Sequence, residues 1–199
     1  MAEKERSEDR PSRSTPGRRD KRRQSAGSRR PVLRFVLLFA VLMGVFELAF
    51  ATSFVKEQLF PAYLRINANV SAGLLRVFRE PASAMGASIT GRYPLTIERG
   101  CDAIEPSALF LAGVLAFPVR LMAKVPGMLI GTVCLMLLNL VRIVSLYYVG
   151  VHMPRWFHVM HVDVWQPIFI VVAIAFWVLW ALWATREMAQ KSHAARSAG

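Results

Sequence analysis

Three groups of residues carry side chains that could do chemistry together. The first is Gly100-Cys101-Asp102-Ala103-Ile104-Glu105-Pro106, which sets a lone thiol just outside the start of a long apolar stretch. If that stretch is a helix, its backbone N–H groups and dipole favour thiolate over thiol, lowering the pKa from the free value of about 8.5. Pro106 suits the first turn, where a missing N–H does no harm, and Asp102 or Glu105 can cap or charge that turn. The plainer alternative for Cys101 is a buried, inert thiol. The second group is Asn139-Leu140-Val141-Arg142, an amide and a guanidinium three residues apart on one helical face. The third is His158-Val159-Met160-His161, followed by Trp165-Gln166-Pro167. A thiolate nucleophile, a proton-relaying imidazole and a guanidinium that stabilises charge on an attacked carbonyl make a coherent set. Two histidines and one thiol here lack a standard zinc spacing, so neither a metal nor a cofactor is expected.

Those groups need a scaffold, and composition says which kind. Of 199 residues 54% are hydrophobic, and the mean hydropathy of +0.36 is too high for an ordinary soluble domain. A hydrocarbon core about 30 Å thick needs a helix of about 20 apolar residues. Four blocks come to that length, over 32–55, 106–122, 126–149 and 164–183. The expected fold is therefore an all-α integral membrane protein built as a four-transmembrane-helix bundle. The net charge of +12 sits largely in the N-terminal tail and beside the blocks. Next to a membrane span such charge points to lipid headgroups, not nucleic acid.

Residues 1–31 are expected to be a disordered, basic cytoplasmic tail. Residues 32–185 form the membrane-embedded domain, and 186–199 a second basic cytoplasmic tail. Ser28-Arg29-Arg30 and Ala49-Phe50-Ala51 imitate a twin-arginine signal with a cleavage site. The apolar run continues past that site, so an uncleaved anchor is expected. Arg120 and Lys124 belong in the cytoplasm by the positive-inside rule. Both termini are then cytoplasmic, and Cys101, Arg142, His158 and His161 converge on the extracytoplasmic, periplasmic side. Cys134 falls in the inner half of its span and reads as core.

Between the first two spans the pattern changes. Leu59, Tyr63, Ile66, Val70, Leu74 and Phe78 recur at helical spacing, with Arg65, Asn67 and Arg76 among the polar residues on other faces. That predicts an extracytoplasmic amphipathic helix, lying in the outer interface or packed against the bundle. Residues 85–98 alternate about Gly91-Arg92 and predict a short β-hairpin leading to Cys101. An arginine inside an apolar span costs about 2.5 kcal/mol or more at the centre, which marks Arg142 as functional unless it snorkels to the headgroups. Glu47, at similar depth in the first span, is its candidate counter-ion. Asn139 can hydrogen-bond across the bundle.

Taken together, Cys101-Asp102-Ala103-Ile104, Asn139-x-x-Arg142 and a histidine before the last span resemble the exosortase/archaeosortase family of integral-membrane sorting enzymes, closest to the short exosortase H-type members. The resemblance covers residues 32–185. Many relatives have Ser-Gly after the cysteine, where this chain has Asp102-Ala103. The resemblance implies a cysteine peptidase or transpeptidase with Cys101 as nucleophile, Arg142 as the family's arginine and His161 as its histidine. His158, Asn139, Glu47 and Glu105 would support them. It also implies secreted protein substrates with a C-terminal sorting signal, and an acceptor that the chain does not identify. Two other classes stay open: a non-catalytic membrane scaffold, and a small transporter using Glu47 and Arg142.

Overall fold

A computed structural model describes the backbone of residues 18–100 and 102–197, and the side chains of 30–100, 102–187 and 190. Cys101 and the first part of the N-terminal tail lie outside the described residues. The chain divides into two units, 1–34 and 35–199. The described part of the first is the beginning of helix α1 (Arg18–Ala51), which starts well before the apolar block does. The remaining elements all belong to the second unit.

Three helical stretches are long and apolar enough to cross a membrane: Arg30–Ala51, Leu121–His152 and Pro154–Glu187. The block at 106–122 does not form a helix of that length. It gives α3 (Ile104–Ala116), 13 residues, about 20 Å long at 1.5 Å per residue. The cause is Pro118. Phe117 adopts the extended backbone favoured before a proline, φ −69° and ψ 136°, and α3 stops there. Met122 therefore lies in α4 (Leu121–His152), which begins earlier than the expected 126 and carries Pro126 in its second turn. Lys124 is buried, and its ammonium donates to the Leu115 carbonyl at 2.5 Å. A cation there satisfies one of the carbonyls that a helix end leaves open and complements its negative dipole end.

Aromatic rings seated over glycines align the long helices. Phe110 of α3 fills the space over Gly131 of α4, where an added Cβ would lie 2.2 Å from the ring. Trp180 of α6 (Trp165–Ser197) does the same at Gly127, and its indole N–H donates to the Ala123 carbonyl at 3.0 Å. Both α3 and α6 thus run antiparallel to α4. Around these contacts Val114, Leu135, Phe169, Ala173 and Ala184 form one buried cluster.

A second cluster joins α2 (Phe60–Val77) and a small sheet to the later half of α4. The strands β1 (Ser83–Met85), β2 (Ser88–Thr90) and β3 (Leu95–Thr96) pair antiparallel in that order, Ala84 with Ile89 and Ile89 with Leu95. Gly86, at φ +64°, makes the tight turn between the first two. Tyr147 of α4 is buried beneath the sheet, and its hydroxyl accepts from the Arg92 N–H at 3.0 Å. The buried face of α2 differs from the one its apolar period picks out. Leu64, Asn67, Ala68, Ser71, Ala72 and Leu75 turn inward, while Ile66, Val70 and Phe78 are exposed. Small side chains let two helix backbones approach closely, and the bulky apolar ones are left outward.

The stretch after α4, which lies between two apolar blocks of the sequence, is helical almost throughout. A 3₁₀ turn at Pro154–Trp156, α5 (Phe157–Val159) and a π-helical turn at Met160–Val164 run straight into α6. Its polar residues satisfy their backbone within the helix, so a loop is unnecessary.

Candidate functional site

The thiol's position in the chain is bracketed by a turn of unusual backbone. Gly100 has φ +90° and Ala103, the N-cap of α3, has φ +60°. A left-handed conformation costs an alanine about 1–2 kcal/mol, so this turn must be held by its surroundings. Asp102 holds it from within. Its side chain is buried, and Oδ1 accepts from the Ile104 N–H at 3.2 Å, serving one of the open donors of the helix start. Burial pushes the Asp102 carboxyl above its usual range, against the pull of the Ile104 N–H, and the charge of Glu105 adds to the rise.

Tyr63 holds the same turn from outside. Its hydroxyl donates to the Asp102 main-chain carbonyl and lies 3.3 Å from the Met136 Sδ of α4. Burial pushes the phenol up to about 12, so it stays protonated and able to donate. One turn along α2, Asn67 donates to the Tyr63 carbonyl at 3.0 Å and accepts from Asn139 of α4 at 3.3 Å. Ser71 follows a turn later, and its hydroxyl and Asn139 Oδ1 are buried with no hydrogen-bond partner among the described residues. Tyr63, Asn67 and Ser71 form an i, i+4, i+8 polar stripe facing Met136 and Asn139.

One turn beyond Asn139 on α4 lies Arg142, only 2% exposed. Its guanidinium donates to the His161 main-chain carbonyl at 3.4 Å and stands 5.5 Å over the Phe169 ring. His161 is half-buried with its imidazole stacked on Phe157, centroids 5.9 Å apart and planes at 7°. His158 is exposed. Arg142, Asn139 and the His161 segment therefore come together, connected through Asn67 and Tyr63 to the residue that follows Cys101. Such a centre can hold a carbonyl or carboxyl oxygen by its guanidinium and move a proton by its imidazole.

Glu47 is not the counter-ion of Arg142. Its carboxylate reaches Arg99 at 3.5 Å, and Glu105 reaches the same guanidinium at 3.3 Å. Arg99 also stands 4.5 Å over the Phe50 ring. All three charged side chains are about half exposed, so this ion triad forms a rim and not a floor. The physical reason is the face each occupies: Glu47 is exposed on α1, whereas Arg142 is buried in the bundle. Cys134 lines an apolar groove of about 350 Å³ between α3, α4 and α6, with Phe110, Gly127 and Trp180.

Sequence reasoning missed Tyr63 and Asn67, counting the first as part of an apolar stripe and the second as outward polar. The spacing Tyr63-x-x-x-Asn67-x-x-x-Ser71 was the available signal, since three hydrogen-bonding side chains on one face of a membrane-associated helix need partners. No protein-family model matches the chain, and no match was found among curated proteins or solved structures.

Proposed function

We propose that the protein is a membrane-embedded cysteine peptidase or transpeptidase that processes C-terminal sorting signals of secreted proteins. The observation that carries this reading is the contact between the buried Arg142 guanidinium and the His161 segment. A buried arginine is expensive to keep in an apolar bundle, and this one is kept beside an imidazole. The resemblance of Cys101-Asp102-Ala103-Ile104, Asn139-x-x-Arg142 and His161 to exosortases supplies the reaction type.

In this mechanism the Cys101 thiolate adds to the carbonyl carbon of the scissile peptide bond. Arg142 stabilises the negative oxygen that results. As the C–S bond forms and the C–N bond breaks, protonated His161 gives its proton to the leaving amine. The thioester then passes its acyl group to an acceptor amine or to water. His161 takes the proton of that nucleophile, and the thiolate leaves.

The topology that suits this chemistry has four passes, three by the long helices and one by the shorter α3. The termini are cytoplasmic, and the Arg142–His161 end is extracytoplasmic. α2 lies along the outer interface, with Ile66, Val70 and Phe78 turned to lipid. The pairing of Glu47 with Arg99 supports this reading over a transporter that would use Glu47 together with Arg142.

The test is complementation in a host lacking the protein. Its own secreted proteins that end in a motif, an apolar span and a basic cluster are given a C-terminal tag. The wild-type chain should remove the tag, and Cys101→Ala and Arg142→Ala should not. Undiminished removal by Cys101→Ala overturns the reading.

A further inference from the structure

We propose that Tyr63 is a positioning residue for the candidate nucleophile: its hydroxyl, by holding the Asp102 carbonyl, fixes the Asp102–Ala103 peptide plane in the turn that follows Cys101. This rests on Cys101 being the reacting group. Among the described residues Tyr63 is the one side chain from another element that hydrogen-bonds to the main chain of 102–103. The hold is directional. In a trans peptide the C=O and the next N–H point opposite ways, so seizing the Asp102 carbonyl also aims the Ala103 N–H away from α2.

The rest of the turn cannot set that plane by itself. Gly100 has little steric preference at φ +90°, and Ala103 is in a left-handed conformation that it leaves readily once released. Asp102 Oδ1 is engaged with the Ile104 N–H and the Ala103 carbonyl with the Ser107 N–H, which anchors the helix start and leaves the Asp102 carbonyl to Tyr63. Tyr63 is itself anchored. Its carbonyl is held by Asn67, and Asn67 is held by Asn139, one turn from Arg142. The turn and the guanidinium are thereby referred to one hydrogen-bonded frame that spans α2 and α4.

The experiment uses the full chain in lipid nanodiscs with Cys134→Ala, so that Cys101 is the sole thiol. Alkylation of Cys101 by a small maleimide is timed in Tyr63→Phe and in Tyr147→Phe. Tyr147→Phe is the control, since it deletes a comparable buried tyrosine bond, to the Arg92 N–H. Tyr63→Phe should change the alkylation rate at least fivefold and lower kcat for tag removal by about ten- to a hundredfold at little changed KM, the scale of a misplaced reacting group. Tyr147→Phe should alkylate within twofold of wild type. Incorporating 4-aminophenylalanine at position 63 keeps a donor and should restore both rates. If Tyr63→Phe accumulates poorly, that residue replaces it as the measured variant, and restored folding without restored alkylation overturns the proposal. Equal alkylation by the two phenylalanine variants overturns it as well. Because alkylation needs no substrate, a failure of the peptidase reading, seen as processing by Cys101→Ala, is read separately.

Discussion

The guanidinium of Arg142 donates to the main-chain carbonyl of His161 at 3.4 Å, so the arginine grips the backbone of the histidine. The imidazole stacks on Phe157, with the two planes 7° apart.

Replacing Arg142 should separate stability from activity. An unbranched apolar side chain of similar length, as in Arg142→Met, fills the same space without a buried charge, and such exchanges are often neutral or stabilising. We expect the melting temperature in detergent to stay within about 5 °C of wild type, the scale of a change of about 1 kcal/mol. Tag removal should be lost. A collapsed melting temperature with residual activity would assign Arg142 to the fold alone.

The two histidines should differ sharply. His161 is half-buried beside Arg142, whereas His158 is exposed. Loss of a general acid or base costs about 10²–10⁴-fold in rate, so His161→Ala should be nearly as inactive as Cys101→Ala. His158→Ala should stay within about tenfold of wild type, since it leaves that proton route intact. Gel-shift timing of tag loss measures both, and a dead His158→Ala beside an active His161→Ala reverses the assignment.

Glu47→Gln should have little effect. It removes one arm of a half-exposed triad on Arg99, a kind of ion pair worth about 0–1 kcal/mol. Activity should remain within twofold in a cleavage assay. A loss comparable to that of Arg142→Met would mean that Glu47 acts on the buried centre.

Asp102 should make stability depend on pH. Burial raises its carboxyl above the usual range, so between the ordinary carboxylate pKa of about 4 and the raised one the folded chain keeps a proton that the unfolded chain has released. Stability from this group is therefore full below that window and falls as pH rises through it. Asp102→Asn keeps the acceptor for the Ile104 N–H and removes the titration. Its melting temperature should be flatter across that window than the wild type's, and parallel curves would show that Asp102 is not the group responsible.

Much of the scaffold was legible because membrane helices are written in long apolar runs, and the 32-residue α4 is one of them. The early end of α3 was legible too, in Pro118, but block length outweighed a single proline. The register of α2 was not. Apolar periodicity assumes that large hydrophobic residues face inward, and near a membrane the outside is apolar as well, so Ile66 and Val70 carry no direction. Asn139 and Arg142 stood out as polar groups within an apolar run. Tyr63 did not, since a tyrosine at helical spacing reads as core until the carbonyl it binds is known. The partner of Glu47 depended on Arg99, which lies next to the turn and outside any span.

The 13-residue length of α3 bears on the lipid around it. In the proposed four-pass topology, a helix of about 20 Å beside partners that can cross about 30 Å of hydrocarbon creates a hydrophobic mismatch. The leaflet there must thin or admit headgroups to meet Lys124 and the end of α3, at a fraction of a kcal/mol per Å. A bilayer of shorter acyl chains relieves that strain, and a thick one increases it. With that topology, shorter lipids should raise the protein's thermal stability.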